Sequence, residues 1–312
     1  MANKNLSAAK KAKNDEFYTQ MNDIANECRY YKEHFKGKMI LCNCDDPYES
    51  AFFKYFALNF KTFKLKGLMA TCYNGSTISD HQLSLFSNED EKTTRVAHSI
   101  VLLPEHIEKK HLIRKLKGNV DFSSEECLEF LKQADIVVTN PPFSKFREFV
   151  SILMEYDKRF LIIGNKNAIT YKEFFPLLKE NKVWIGYNSP AEFITPDGVT
   201  KKINGLTRWF TNLDITKRHE KLILWKNYTP EEYPTYDNYN AINVDKVAEI
   251  PCNYDGVMGV PITFLDKYNP EQFEIVGLDR YTVPKKFLVG GRVAINGNPT
   301  HVHILIYRKD II

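Results

Sequence analysis

The chain has 312 residues, 43% of them hydrophobic, and its 43 basic residues nearly balance 39 acidic ones. This size allows one large core and a smaller second module, and the net charge of +4 is too small to indicate a nucleic-acid partner by itself. No stretch approaches the roughly 18 consecutive apolar residues that a membrane span needs, and the first residues lack the apolar core of a secretion signal, so we expect a cytoplasmic protein without a membrane partner.

The chain begins with a basic arm, which we place at residues 1–14. Its four lysines, Lys4, Lys10, Lys11 and Lys13, precede the first acidic residue of the chain. Such an arm either lies along phosphates and gains affinity through counterion release, or is a solvated terminus.

Short apolar runs then alternate with helical patterns, which indicates an α/β fold with a mostly parallel sheet covered by helices on both faces. The predicted strands are residues 39–44, 67–73, 99–103, 135–139, 160–164, 183–187 and 206–211.

Helix starts are predicted at three places. Ser123 with Glu126 and Thr170 with Glu173 have the spacing of a capping box, and Ser144 is a candidate helix cap. The segment after Ser144 has apolar residues at the three-and-four spacing of an amphipathic helix with a buried face. These residues are Phe146, Phe149, Val150 and Leu153.

Polar composition predicts the loops and the domain boundary. Residues 79–97 and 188–204 mix charged, small and turn-forming residues without periodicity, which is typical of insertions or loops. Residues 226–240 are rich in Tyr, Pro and Asn, so we predict a main domain at 15–225 and a C-terminal module at 226–312.

The cysteines and histidines do not predict a metal site. The six cysteines form no Cys-x-x-Cys pair, and a chain of this length does not depend on disulfides. Cys42 and Cys44 alternate along a predicted strand, as His301 and His303 do near the end of the chain. Two ligands do not make a site, so we expect no metal.

Residues 134–143 carry the strongest chemical signal, because a buried strand runs directly into Asn140, Pro141, Pro142 and Phe143. Ligands of open α/β sheets bind beyond the carboxyl ends of strands. Two prolines fix the backbone and remove two N–H donors, so the loop offers mainly acceptors. The Asn140 side chain and the Pro141 carbonyl are therefore predicted to accept the N–H groups of a substrate amine, and Phe143 to stack on an extruded base.

Together with other segments, this loop makes the chain resemble the EcoRI-type family of adenine-specific DNA methyltransferases. The matching segments are residues 15–20, 42–47, 52–56, 135–143, 160–163, 169–173, 209–213, 236–239 and 256–265. The resemblance implies a Rossmann-like fold with a smaller C-terminal recognition module, S-adenosylmethionine as methyl donor, and N6 of adenine in double-stranded DNA as acceptor. It also implies a restriction-modification or stand-alone modification role, in the first case with a cognate restriction endonuclease that acts on the same site.

The resemblance also implies which residues bind the cofactor. They are Phe17, Tyr18 and Thr19 in the N-terminal segment, Asp45, Asp46 and Pro47 after the first strand, Asp121 and Phe122 near the cofactor's adenine ring, and Asn140. Helix capping by Asp121 and core packing of Phe17 and Phe122 are the competing interpretations. Five basic residues of the C-terminal module are candidates for DNA contacts: Arg280, Lys285, Lys286, Arg292 and Arg308.

Two alternatives remain open at the level of the sequence. An Asn-Pro-Pro-aromatic loop also suits a methyltransferase that acts on a guanine amino group in RNA or on the side-chain amide of a protein glutamine. A protein that keeps the fold but only binds DNA is the third possibility, although such a protein has no chemical need for the intact loop.

Overall fold

The computed structural model describes residues 18–44, 51–72, 98–104, 112–116, 121–194, 200–202 and 205–309. The chain divides into two compact units, Met1–Lys166 with Asn188–Leu213 and Asn167–Tyr187 with Asp214–Ile312. The second unit thus combines residues 167–187 with the chain from Asp214 onward, whereas the predicted C-terminal module begins at residue 226. The predicted basic arm and the predicted loop at 79–97 lie outside the described residues.

The first unit alternates strands and helices along the chain. Its helices are α1 (Met21–Cys28), α2 (Lys32–Phe35), α3 (Ala51–Leu58), α4 (Glu125–Gln133) and α5 (Phe146–Glu155). Its strands are β1 (Tyr18–Thr19), β2 (Met39–Cys42), β3 (Gly67–Cys72), β4 (His98–Leu102), β5 (Leu112–Lys115), β6 (Ile136–Thr139), β7 (Arg159–Asn165), β9 (Glu192–Ile194), β10 (Thr200–Lys202) and β11 (Thr207–Thr211).

Seven of these strands form one sheet in the order β5-β4-β3-β2-β6-β7-β11. The four central strands, from β3 to β7, are parallel to one another. The flanking pairs β5-β4, β4-β3 and β7-β11 are antiparallel, so the expectation of a mostly parallel sheet holds only for the centre. The unit is a mixed α/β structure.

Helices cover both faces of this sheet, as predicted. Trp209 and Phe210 are consecutive residues of β11 and therefore point to opposite faces. The ring of Phe52 on α3 lies 5.8 Å from that of Trp209, and the ring of Phe146 on α5 lies 5.6 Å from that of Phe210. A side chain at Gly164 in β7 would clash with Phe146, so this glycine permits the close approach of α5.

A second, three-stranded sheet contains the N-terminal strand, in the order β1-β9-β10 with antiparallel pairing. The stretch 188–204, predicted to be a loop, therefore contains two strands of this sheet. Helix α1 holds it in place, because the buried carboxylate of Glu27 accepts hydrogen bonds from the backbone and side-chain amides of Asn188 at 2.8 and 2.9 Å. Asp23 accepts another from the backbone amide of Ala191 at 3.2 Å.

The second unit is built mainly on a five-stranded sheet in the order β12-β13-β14-β18-β15, beside the two-stranded ribbon β16-β17. Its strands are β8 (Trp184–Ile185), β12 (Thr235–Tyr236), β13 (Tyr239–Asn243), β14 (Met258–Pro261), β15 (Phe273–Leu278), β16 (Ala294–Ile295), β17 (Asn298–Pro299) and β18 (His303–Arg308). Its helices are α6 (Phe175–Lys179) and α7 (Asp279–Thr282).

The predicted amphipathic helix is confirmed, whereas the predicted caps are wrong. The four apolar residues 146, 149, 150 and 153 are buried on α5. The cap of α4 is Ser124, whose hydroxyl accepts a hydrogen bond from the Cys127 amide, because the Ser123 hydroxyl donates to Asp121 instead.

The other two predicted caps lie inside 3-10 turns. Ser144 belongs to the turn Phe143–Lys145, which makes Lys145 the residue before α5. Thr170 ends the turn Lys166–Thr170, and its hydroxyl donates to the Asn167 carbonyl. Among the described residues, no helix is long and apolar enough to cross a membrane.

The buried carboxylate of Glu27 yields a stability prediction. Glu27→Gln replaces an acceptor oxygen with an amino group, which leaves at least one of the donors on Tyr31 and Asn188 without an acceptor. We expect this variant to lose about 1–3 kcal/mol of unfolding free energy in chemical denaturation. The control is Glu33→Gln, whose side chain is 88% exposed, and which should change stability by less than about 0.5 kcal/mol. Equal stability of the two variants would contradict this account of Glu27.

Candidate active site

The candidate site lies where the connections between successive strands change direction across the sheet. From β2 the chain winds through α3 to β3 on one side, and later returns through α4 to β6 on the other side of β2. Strands β2 and β6 are therefore neighbours whose connections leave in opposite directions. The crevice outside the carboxyl ends of two such strands is where open α/β sheets bind their ligands.

The register of β2 and β6 is fixed at their amino ends. The backbone amide of Asp135 donates to the Met39 carbonyl at 2.9 Å, and the backbone amide of Met39 donates to the Asp135 carboxylate at 2.8 Å. The strands then pair in parallel, with Leu41 opposite Val137. This reciprocal pair of bonds sets Asn43, which follows β2, beside the start of the loop that follows β6.

The loop after β6 is anchored at one end and partly exposed at the other. Asn140 is buried, with 8% of its surface exposed, and Pro141 is buried beside it. Pro142 and Phe143 are half-buried, in contrast to the fully buried Phe146 of α5. The Pro142 carbonyl accepts a hydrogen bond from the Lys145 amide at 2.9 Å. The Pro142 carbonyl thus serves the turn, while the Asn140 side chain and the Pro141 carbonyl remain the candidate substrate acceptors.

Lys145 connects this loop to the segment before α4. Its ammonium group donates a hydrogen bond to the Asp121 carboxylate and lies 5.4 Å from the centre of the Phe122 ring. Phe122 is buried and packs edge-on against Phe149 of α5 at 5.0 Å. The predicted catalytic loop and two of the predicted cofactor residues, Asp121 and Phe122, are therefore brought together.

The charge state of Asp121 follows from this contact. Partial burial raises the pKa of its carboxyl group, but hydrogen bonds from Lys145 and Ser123 and the positive charge of Lys145 outweigh burial, so the pKa lies below its ordinary value. Asp121 is thus a carboxylate at neutral pH. A carboxyl group of this kind stabilises the fold above its unfolded pKa, and the contribution is lost as the pH falls through the lower, folded value.

The N-terminal segment predicted to bind the cofactor is described in part. Thr19 lies in β1, which packs against α3, the helix that follows β2 in the chain. Its hydroxyl is buried and has no hydrogen-bond partner among the described residues. The backbone of Tyr18 pairs with Ile194. Four other predicted cofactor residues, Phe17, Asp45, Asp46 and Pro47, lie outside the described residues.

Lys145 is the residue that the sequence analysis missed. A lysine five residues after Asn140 carries no motif, and only the folded chain shows that it meets Asp121, 24 positions earlier. Among the described residues, no group of three or more His, Cys, Asp or Glu side chains is arranged to hold a metal ion.

Comparison with known proteins relates the whole chain to one family. Residues 5–301 match the family described as Adenine-specific methyltransferase EcoRI. The type II methyltransferase M.EcoRI of Escherichia coli is 46% identical to this chain, and the match covers 99% of this chain and 98% of that protein.

Two further relatives come from mycoplasmas. The type II methyltransferase M.MgeORF184P of Mycoplasma genitalium is 39% identical, over 98% of this chain and 99% of that protein. The type II methyltransferase M.MpnI of Mycoplasma pneumoniae is also 39% identical, over 87% of this chain and 84% of that protein. No solved structure was found to match the chain.

The contact between Lys145 and Asp121 yields a prediction about titration. In Lys145→Met the partial burial of Asp121 persists while the charge and the hydrogen bond are lost, so the pKa of Asp121 should be higher than in the wild type. Carboxyl-carbon NMR of the two proteins across acidic pH measures this difference. The matched control is Lys132→Met, which removes the partner of Glu129 on α4 and should leave Asp121 unchanged. An unaltered Asp121 titration in Lys145→Met would contradict the contact.

Proposed function

Since this chain belongs to the EcoRI family of adenine-specific methyltransferases, we propose that it transfers a methyl group from S-adenosylmethionine to N6 of an adenine within a specific sequence of double-stranded DNA. The observation that carries the proposal is the position of Asn140-Pro141-Pro142-Phe143 at the carboxyl end of β6, where the winding of the sheet reverses. The parallel centre β3-β2-β6-β7 supports the assignment of a Rossmann-like fold.

The type II names of the relatives support a biological setting of restriction and modification. In that setting the protein protects host DNA at a site that a cognate restriction endonuclease cuts. A stand-alone DNA modification role requires the same chemistry without the nuclease.

The chemistry that the loop performs follows from its acceptors. The lone pair of an exocyclic amino group is delocalised into the base ring, which makes the nitrogen a poor nucleophile. When the Asn140 side-chain oxygen and the Pro141 carbonyl each accept one N–H, they favour a more tetrahedral nitrogen with a directed lone pair. Asparagine is not a strong base, so the proton leaves late or to solvent.

The two prolines make this corner rigid. Each fixes its backbone φ and removes an N–H donor that would compete for the same acceptors. The hydrogen bond from the Lys145 amide to the Pro142 carbonyl holds the loop at its other end. Acceptors held in place before the substrate arrives cost no reorganisation during the reaction.

Phe143 receives the base. A base inside a duplex cannot reach the pocket, so it is extruded at a cost of a few kcal/mol. Stacking on an aromatic ring offsets that cost by roughly 1–3 kcal/mol per base. The partial exposure of Phe143, in a loop whose neighbouring aromatic residues are buried, supports this role.

The residues present fit the cofactor. When bound, S-adenosylmethionine supplies a methyl group on a positively charged sulfur. The residues that would hold it are Phe17, Tyr18, Thr19, Asp45, Asp46, Pro47, Asp121, Phe122 and Asn140. Two observations support this set: the buried Thr19 hydroxyl without a partner among the described residues, and the ionised Asp121, whose carboxylate can accept a hydrogen bond from the amino group on the cofactor's adenine ring.

Target recognition is assigned to the C-terminal part of the chain. The five candidate residues Arg280, Lys285, Lys286, Arg292 and Arg308 all belong to the second unit. The arginine guanidinium of Arg308 already donates to the Cys252 carbonyl, and that of Arg292 to the Thr300 carbonyl. Lys285 and Lys286 are exposed, which makes them the better candidates for phosphate contacts.

The central test is methyl transfer by Asn140→Ala. Wild-type protein is incubated with labelled S-adenosylmethionine and, separately, with duplex DNA, total RNA or cell protein. We expect label in DNA as N6-methyladenine, and a rate in Asn140→Ala that is lower by about 100-fold or more, as for the loss of one donor in an oxyanion hole. Asn59→Ala, which alters a residue after α3 that bonds to Tyr55, should keep the wild-type rate.

The other outcomes select the alternatives. Label confined to RNA or protein would select the guanine or glutamine substrate, and the absence of label from all three would select a protein that only binds DNA. Sequencing of the methylated DNA then defines the recognition site.

A second variant tests the role of Phe143 separately from binding. Stacking contributes only after the base has left the duplex, so Phe143→Ala should lower kcat by roughly 5- to 100-fold while the Kd for duplex DNA changes less. Tyr30→Ala, which removes an aromatic side chain that is 42% exposed in the same unit, should change neither. Equal losses of turnover and binding in Phe143→Ala would count against stacking.

A further inference from the structure

We propose that two adjacent hairpins of the second unit, at residues 289–292 and 295–298, together with Lys285 and Lys286, form the surface that binds the DNA duplex. We call these two turns the paired hairpins. The inference rests on the proposed function and deepens it, because it names the element that contacts the duplex and gives its residues different tasks.

The charge of this region is far from that of the whole chain. Residues 280–309 contain no Asp or Glu but six basic residues, Arg280, Lys285, Lys286, Arg292, Arg308 and Lys309. The remainder of the chain therefore has 37 basic and 39 acidic residues. Residues 280–309 therefore carry an uncompensated positive charge within the second unit, which suits a phosphate backbone.

Both hairpins have tight turns at exposed residues. Val289 and Arg292 exchange two backbone hydrogen bonds, at 2.9 and 3.1 Å, across Gly290 and Gly291. Both glycines have positive φ, 57° and 80°. In the second hairpin β16 and β17 pair across Asn296 and Gly297, whose φ angles are 51° and 74°. Such two-residue turns match the twist of the strands they join.

Hydrogen bonds with the two residues between β12 and β13, Asp237 and Asn238, hold the paired hairpins in place. The Asp237 carboxylate accepts hydrogen bonds from the amides of Asn296 at 3.1 Å and Gly297 at 2.8 Å. The Asn238 side chain donates to the Arg292 carbonyl at 3.3 Å and accepts from the Ala294 amide at 3.1 Å. The turns are therefore fixed before a partner arrives, which lowers the entropy cost of binding.

The side chains at this surface are suited to a duplex. Lys285, Lys286 and Asn296 are exposed, and the Phe287 ring is 52% exposed. Lysine is a phosphate ligand, and an asparagine amide pairs with the edge of adenine in the major groove, which admits a two-stranded ribbon. The structure thus assigns Lys285 and Lys286 to phosphates and Asn296 to a base edge.

The first experiment measures the salt dependence of DNA binding. The DNA affinity of the full-length double variant Lys285→Ala, Lys286→Ala is compared with that of the wild type. The two DNAs are a random-sequence duplex and a duplex that contains the unmethylated recognition sequence. We expect weaker binding to both and a plot of log K against log salt whose slope is smaller in magnitude by about 2, since each lost phosphate contact contributes about 0.9. Both lysines are exposed, so thermal melting should stay at the wild-type temperature.

The matched control removes two exposed lysines at the amino-end edge of the first unit's sheet, in Lys61→Ala, Lys66→Ala. Its slope should equal that of the wild type. If the two double variants have the same salt slope, the assignment of DNA binding to the paired hairpins is overturned, even when wild-type protein methylates DNA. If wild-type protein neither binds nor methylates DNA, the proposed function itself has failed. Binding to RNA that depends on Lys285 and Lys286 more than binding to DNA does would also overturn the inference.

The second variant isolates base reading. Asn296→Gly keeps the turn, because glycine readily adopts the positive φ of this position, and removes only the side chain. Binding to the random duplex should be unchanged. The preference for the recognition sequence over its single-base variants should fall by roughly 5- to 100-fold at one position. An unchanged preference at every position would overturn the assignment of Asn296 to a base edge.

Discussion

Asp135 holds strand β6 to strand β2 through two reciprocal hydrogen bonds with Met39, and the geometry of the site depends on this constraint. The pairing fixes the parallel register of two buried strands, and their carboxyl ends consequently emerge side by side. Helices α3 and α5 cover opposite faces of the sheet, and the position beyond the carboxyl ends of its strands is where such sheets bind ligands.

In the loop after β6, two prolines make the backbone rigid, and the packing of distant segments brings a charged pair next to it. Pro141 and Pro142 remove flexibility and donors from the loop, while Lys145 ties the loop to Asp121, which belongs to a different connection of the sheet. Lys145 is a positioning residue, since its backbone amide bonds to Pro142 of the loop and its side chain bonds to Asp121. The acceptors of the loop and the carboxylate at the proposed cofactor site are therefore held by one residue.

The sequence predicted the features that depend on local pattern and missed those that depend on tertiary contact. The run into Asn140 and the buried face of α5 are visible because apolar periodicity and proline act within a few residues. Three features arise from contacts between distant segments, and no local sequence pattern predicts them. They are the antiparallel flanks of the sheet, the strands within 188–204 and the contact of Lys145 with Asp121. The cap of α4 shows the same limit. Ser123 and Ser124 are equally suitable caps by sequence, and only the hydrogen bond from the Ser123 hydroxyl to Asp121 leaves Ser124 as the cap.

The pairing of β1 with β9 has a consequence for how the protein is made. Strand β1 starts at residue 18, but its partner starts at residue 192, so the ribosome releases most of the first unit before the two can meet. Strand β1 cannot pair until the four parallel central strands β2, β3, β6 and β7 have been synthesised, and closing so long a loop is slow compared with forming local helices. Strand β1 is thus synthesised before the other described elements and is among the last of them to pair.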